Sequence, residues 1–166
     1  MLKIARSRIA RSSLAALCLV LAPAGAARAA EISVLVGSGS PSETWGTAWG
    51  GMLTISLFNI VYGEIEGAHQ GSDFVDGPSI YSGTAKAYLG PSIGRLVPYG
   101  GIGAGVYHES LPGKSDEGTI GLVFAGAKLK FPFGLVLRGE YQWVNLPDGV
   151  LVKLDHRYFV AAGLSF

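Results

Sequence analysis

The side chains of this sequence that could do chemistry are charges set two residues apart. Glu64 and Glu66 flank Ile65, Arg138 and Glu140 flank Gly139, Lys86 stands among small and apolar neighbours, and Arg157 sits between His156 and Tyr158. On a β-strand, residues two apart share a face and the residue between them points the other way. If that face is shut away from water, its charges must be paired or hydrated. Such charges either lock strands together through ion pairs or line an ion path. Lys128 is assigned to the same network. Its parity matches Ile120 and Leu122, however, which implies a bulge or a misassigned face in that segment.

Other chemistry finds less support. His108-Glu109-Ser110 combines an imidazole, a carboxylate and a hydroxyl, the components of a hydrolytic triad. Adjacent strand residues point to opposite faces, so His108 and Glu109 cannot act as base and orienter without help from elsewhere. His69, His108 and His156 fall near strand ends and could together hold a metal or haem, but no close spacing supports it. The glycine runs carry no lysine after a Gly-x-x-x-x-Gly pattern, as a phosphate loop would. No catalytic set, metal or cofactor is expected.

Composition narrows the setting. Residues 1–29 hold a basic stretch, an apolar core from about Leu14 to Ala22 and a small-x-small end at Ala27-Arg28-Ala29. That is the pattern of a cleaved secretory signal peptide, leaving residues 30–166 as one domain. The only cysteine, Cys18, lies in the leader, so the exported chain is expected to have no disulfide or thiolate site. Beyond the leader, eight Lys and Arg face twelve Asp and Glu, a net charge of −4. A mildly acidic chain without a basic run is a poor partner for nucleic acid. Charged residues make up about 15% of it, fewer than the roughly 25% of typical soluble domains. Part of the surface is therefore expected to face something other than water. No later run approaches 18 apolar residues, so the spans, if any, are strands.

Eight segments alternate with period two, at about 31–38, 50–58, 60–70, 79–93, 99–110, 119–131, 134–145 and 156–166. In the seventh, Leu135, Leu137, Gly139, Tyr141 and Trp143 oppose Val136, Arg138, Glu140 and Gln142. Connections alternate between tight (Asn59, Arg95–Pro98, Pro132–Phe133) and long (about 39–49, 71–78, 111–118, 146–155). Tight turns at one rim and long loops at the other characterise up-and-down barrels in outer membranes. Closure would leave no unpaired strand edge in lipid. A soluble ligand-binding barrel of eight strands would show the same alternation. Three features favour lipid: glycines crowded on one face of the fifth segment (Gly101, Gly103, Gly105), few charges per strand, and aromatic residues near strand ends. Those aromatics are Trp45, Trp49, Phe58, Tyr99, Phe131, Phe133, Trp143 and Phe166.

Particular stretches resemble the OmpA-like and opacity-type outer-membrane β-barrels in their minimal eight-strand form. Pro98-Tyr99-Gly100-Gly101-Ile102-Gly103-Ala104-Gly105-Val106-Tyr107 resembles their Pro-Tyr strand with alternating glycines. Leu137-Arg138-Gly139-Glu140-Tyr141-Gln142-Trp143 resembles their Arg-x-Glu-Tyr strand. The ending Tyr158-Phe159-Val160-Ala161-Ala162-Gly163-Leu164-Ser165-Phe166 is similar to their C-terminal assembly signal, with Tyr158, Val160, Ala162, Leu164 and Phe166 on one face. The resemblance implies a transient partner in the barrel-insertion machinery, and no peptidoglycan-binding domain after Phe166. Small-barrel lipid A deacylases carry a His-x-Ser-Asn run after an arginine-bearing strand. Here Arg138 is followed by Gly-Glu-Tyr-Gln-Trp-Val-Asn.

The expected protein is an all-β, eight-stranded antiparallel transmembrane barrel of a Gram-negative outer membrane. Its lumen would be plugged by salt bridges, and its partners would be outer-membrane lipid and lipopolysaccharide. The role would be structural or adhesive, with a small porin-like pore as the alternative. Trp45 and Trp49 in the first loop and Val150–Leu154 in the fourth are the candidate contacts for an extracellular ligand.

Overall fold

The computed structural model describes residues 29–41, 46–71, 77, 79–111, 113–146 and 154–166. The leader before Ala29, Trp45 and residues 150–153 lie outside the described residues. Eight strands follow in order: β1 (Ala29–Pro41), β2 (Gly46–Ser56), β3 (Val61–Gly71), β4 (Ser79–Leu89), β5 (Leu96–Leu111), β6 (Lys114–Lys130), β7 (Leu135–Asn145) and β8 (Leu154–Ser165). Each pairs antiparallel with the next, and β8 returns to β1, so the sheet closes as an up-and-down barrel. At the seam, the backbones of Ala30 and Phe166 exchange two hydrogen bonds of 2.9 Å.

Alternation along the strands separates two surfaces. Ile32, Val34 and Val36 of β1 point outward and are more than half exposed, while Glu31, Ser33 and Leu35 between them are buried inside. The same scheme puts Leu137 outside and Arg138 inside on β7, and Val160 outside and Phe159 inside on β8. The lumen is filled in three regions. A loop-side layer packs Ile80, Tyr107, Ile120, Val144 and Leu154. A turn-side group packs Tyr62, Tyr88 and Tyr99 with Leu122 and Phe124. Leu35, Met52, Phe159 and Ala161 line the β1, β2 and β8 wall. Between them lies a charged centre.

Several expectations are corrected here. β6 contains no bulge: its register runs unbroken against β5 and against β7. Lys128, Ile120 and Leu122 all face inward, because the lumen is apolar at its loop-side end and polar at its middle. Tyr99 is buried inside and is not part of a girdle. Trp49 lies on the outer wall of β2, not in a loop, because β2 begins at Gly46. Leu154 caps the lumen at the start of β8 and is buried, so it offers no loop contact. The third long loop is instead a continuation of β5 and β6 as a hairpin turning through Gly113 at φ +78. Its residues 114–120 pair with β5 beyond the point where the β6–β7 ladder ends at Gly121 and Asn145. β4 stops at Leu89, and the tight turn falls at Gly94-Arg95, with Gly94 at φ +65.

The inward glycines of β5 make room for large neighbours. A Cβ on Gly103 would stand 2.9 Å from Lys86 Cγ and 3.0 Å from Leu122 Cδ1. The outward Gly139 of β7 has nothing within 4 Å of that position. Gly103→Val should therefore lower stability by about 1–3 kcal/mol through overpacking. Gly139→Val should stay within about 0.5 kcal/mol of wild type. Urea unfolding of the refolded barrel in detergent measures both.

Candidate functional site

The charged centre is built from four strands whose registers bring carboxylates and cations to one level. β3 supplies Glu64 and Glu66, β4 Lys86, β7 Arg138 and Glu140, and β8 Arg157. Glu64 and Lys86 are direct cross-strand partners, as are Gln142 and Arg157. Closure then brings β7 across the lumen from β3 and β4. All six charged side chains are 0–1% exposed where they form ion pairs.

Lys86 Nζ lies 2.7 Å from Glu140 Oε1 and 3.3 Å from Glu64 Oε1, and also bonds Glu66. Arg138 donates to Glu64 and Glu140, reaching Glu64 Oε1 through Nη2 at 3.1 Å. Arg157 donates to Gln142 Oε1 at 2.6 Å and Ser82 Oγ at 3.0 Å, with Glu66 at 3.4 Å. Neutral groups complete the shell. Thr54 donates to Glu64 at 2.8 Å, Tyr99 to Glu140 at 2.9 Å, and Gln142 to Glu140 at 2.6 Å and Glu66 at 3.0 Å. Three carboxylates thus meet three cations, and the centre is electrically balanced. Oxygens of Glu64, Glu66 and Glu140 gather within 4.8 Å, a spacing that suits a metal ion, but the Lys86 ammonium stands among them.

Lys128 belongs to a second, smaller site nearer the turn-side rim. Its Nζ donates to Glu31 Oε2 at 2.8 Å. It lies 5.4 Å from the Tyr62 ring centroid and 5.2 Å from that of Tyr88, within cation–π range. Arg138 is its direct neighbour on β7, a like-charge pair that each cation relieves by leaning to its own carboxylates. Sequence reading missed Glu31. Its parity with Ser33 and Leu35 was the available signal, but only closure of β1 onto β8 brings it opposite β6. Thr54, Ser82, Tyr99 and Gln142 were missed as network members too: Thr54 faces Glu64 across the β2–β3 ladder and Gln142 shares a face with Glu140, whereas Ser82 and Tyr99 meet Arg157 and Glu140 only in the closed barrel.

The remaining candidates fall elsewhere. His108 is exposed on the outer wall and Glu109 is wholly buried behind it, so the wall separates them. His69 lies between Trp49 and Tyr81, with ring centroids at 5.3 and 4.5 Å, and His156 stacks on Tyr141 at 5.9 Å. His69 and His108 lie on either side of Tyr81 on one part of the rim, and His156 stands apart beside Tyr141. Tyr158, Val160, Ala162, Leu164 and Phe166 all face outward on β8 and at the C-terminal residue.

No family model matches this sequence, and no curated sequence is significantly similar to it. Solved structures share its fold. Neisserial surface protein A (NspA) superposes with a TM-score of 0.66 at 14% identity, over 82% of this chain and 94% of NspA. The N-terminal β-barrel domain of Pseudomonas aeruginosa OprF gives 0.57 at 17% identity, over 84% and 98%. Ail, the attachment invasion locus protein of Yersinia pestis, gives 0.55 at 17% identity, over 83% and 98%. Ail has also been determined with the heparin analogue sucrose octasulfate and, as an outer membrane protein, in a phospholipid bilayer nanodisc. The fold is that of small eight-stranded outer-membrane barrels.

Breaking the central network from one side should be costly, because without Arg138 three buried carboxylates are left to two cations, Lys86 and Arg157. Arg138→Ala is expected to lose about 3–5 kcal/mol of stability in urea unfolding. Adding Glu64→Gln to it should restore part of that loss, since the second change removes a stranded charge.

Proposed function

We propose that this chain is exported through a leader over residues 1–29 and inserted as an integral outer-membrane barrel. Its lumen is plugged, and its work is done at its surfaces, in envelope integrity or adhesion. The observation that carries this reading is the filled lumen. Glu64, Glu66 and Glu140 are neutralised by Lys86, Arg138 and Arg157 at side-chain exposures of 0–1%, with packed apolar groups on either side. A column in which each charge is held by a protein partner offers none of them to a passing ion. Function then falls to the outer wall and to the four loop-side connections. The β5–β6 hairpin carries exposed Lys114 and Glu117 there. Ail, a chain of the same fold, takes a heparin analogue, which supports a ligand-facing role for this surface. The outward row from Tyr158 to Phe166 would serve as the signal read by the insertion machinery. In this reading the chain is not an enzyme.

A second reading is a small gated pore. It is favoured by one detail: Lys86 has three carboxylates within reach, so it can change partners without leaving the centre.

Planar-bilayer recording separates the two. The wild-type barrel is expected to be silent, and stepwise conductance would overturn the plugged reading. Fractionation tests the setting: the unboiled protein should run fast on a gel and sit in the outer-membrane fraction. Replacing residues 42–45 by a Gly/Ser linker should weaken adhesion or envelope integrity while preserving the fast band.

A further inference from the structure

The outer wall over β2–β6 is not uniform. Cross-strand register lines up Trp49, His69, Tyr81, His108 and Glu117 as one outward row near the loop-side rim. The next outward row toward the turn side reads Gly51, Gly67, Gly83, Val106 and Thr119. Side chains vanish there for three strands in succession, and a Cβ placed on Gly67 or Gly83 would meet open space. The result is a groove of about 820 Å³ floored by Gly67 and Gly83 and walled by Trp49, His69, Tyr81 and Val106. That volume falls in the range of small-molecule sites.

We propose that this groove seats one acyl chain of an outer-leaflet membrane lipid, with the lipid headgroup against the Trp49–His69–Tyr81–His108 row. The inference rests on the membrane reading given above and goes beyond general contact with lipid. The occupant follows from continuity: the groove opens onto the same wall as Leu53, Ile65 and Ile102, the apolar belt that faces hydrocarbon. A depression in that belt without a chain lying in it would forfeit dispersion contacts along its whole floor. The headgroup follows from level and polarity. Trp and Tyr side chains at a barrel rim, here Trp49 and Tyr81, sit where headgroups lie. His69 Nδ1, held between the Trp49 and Tyr81 rings, is buried without a hydrogen-bond partner among the described residues. A headgroup oxygen at this level can reach the exposed His108, two strands from His69 in the same row. Glu117 is the row's one carboxylate and closes its far end.

The test is native mass spectrometry of the barrel refolded in mild detergent with dipalmitoyl phosphatidylglycerol. Wild type is expected to retain one lipid. In the Gly67→Leu/Gly83→Leu variant the new side chains extend into the groove from positions where an added Cβ has nothing within 4 Å, so the barrel should keep its heat-dependent gel shift. It should nevertheless retain lipid at least about tenfold less, the scale of losing a chain's apolar contacts. Gly139→Leu makes the same change on the outward face of β7, away from the groove, and should retain lipid as wild type does. Equal retention by wild type and the groove-filled variant, both folded, would overturn the seat and leave only non-specific annular lipid. A folded wild type that retains none would also overturn it. A chain that gives no heat-dependent shift and partitions into the soluble fraction would instead overturn the membrane reading.

Discussion

A backbone amide in hydrocarbon has no water to bond, so each one must find its partner within the chain. The hydrogen bonds between Ala30 and Phe166, and the β1–β8 ladder that they finish, meet this demand by removing the sheet's last two edges. The rest of the molecule depends on that closure. With eight strands, a barrel encloses a column just wide enough for side chains to fill. The interior therefore had to be packed, and packed by residues that alternate with those facing out.

Charges in such a column are a costly filling, tolerable only when the count and the geometry both balance. At the centre three carboxylates answer three cations, and Thr54, Tyr99 and Gln142 take up further hydrogen-bonding capacity. Lys128 and Arg138 show how finely the balance is drawn. They are direct cross-strand neighbours of like charge, and their proximity is tolerable because Glu31 draws one away and Glu64 and Glu140 hold the other. Space is balanced as well. Lys86 and Tyr88 can lie across the lumen because β5 presents Gly103 and Gly101 opposite them, where a Cβ would collide. The glycines on the inside and the large polar residues are two halves of one packing solution.

Outside, the wall obeys a different rule, since lipid accepts any apolar outline. A loss of side chains there creates relief, not strain. On β7 the outward Gly139 is isolated between Leu137 and Tyr141, whereas Gly51, Gly67 and Gly83 are aligned across three strands beneath an aromatic and imidazole row. The same residue type thus relieves crowding inside the barrel and shapes its surface outside.

Much of this was legible in the chain itself. Period-two alternation is local: Glu64 and Glu66, or Arg138 and Glu140, must share a face once the strand forms, and Tyr158 to Phe166 must lie opposite Arg157. Strand number, the antiparallel order and the inward charges follow from such local facts. What the sequence could not decide was who meets whom across the lumen. Glu31 with Lys128, Tyr99 with Glu140, and Leu154 under the loop-side cap are contacts between residues 41 to 97 apart or between strands remote in order. Lys128 is out of phase only if Ile120 and Leu122 face lipid, whereas the lumen itself changes from apolar to polar along its axis. Trp49 looked like a loop residue until pairing with His69 extended β2. Alternation chooses a face for each side chain, but register and closure alone choose its neighbours.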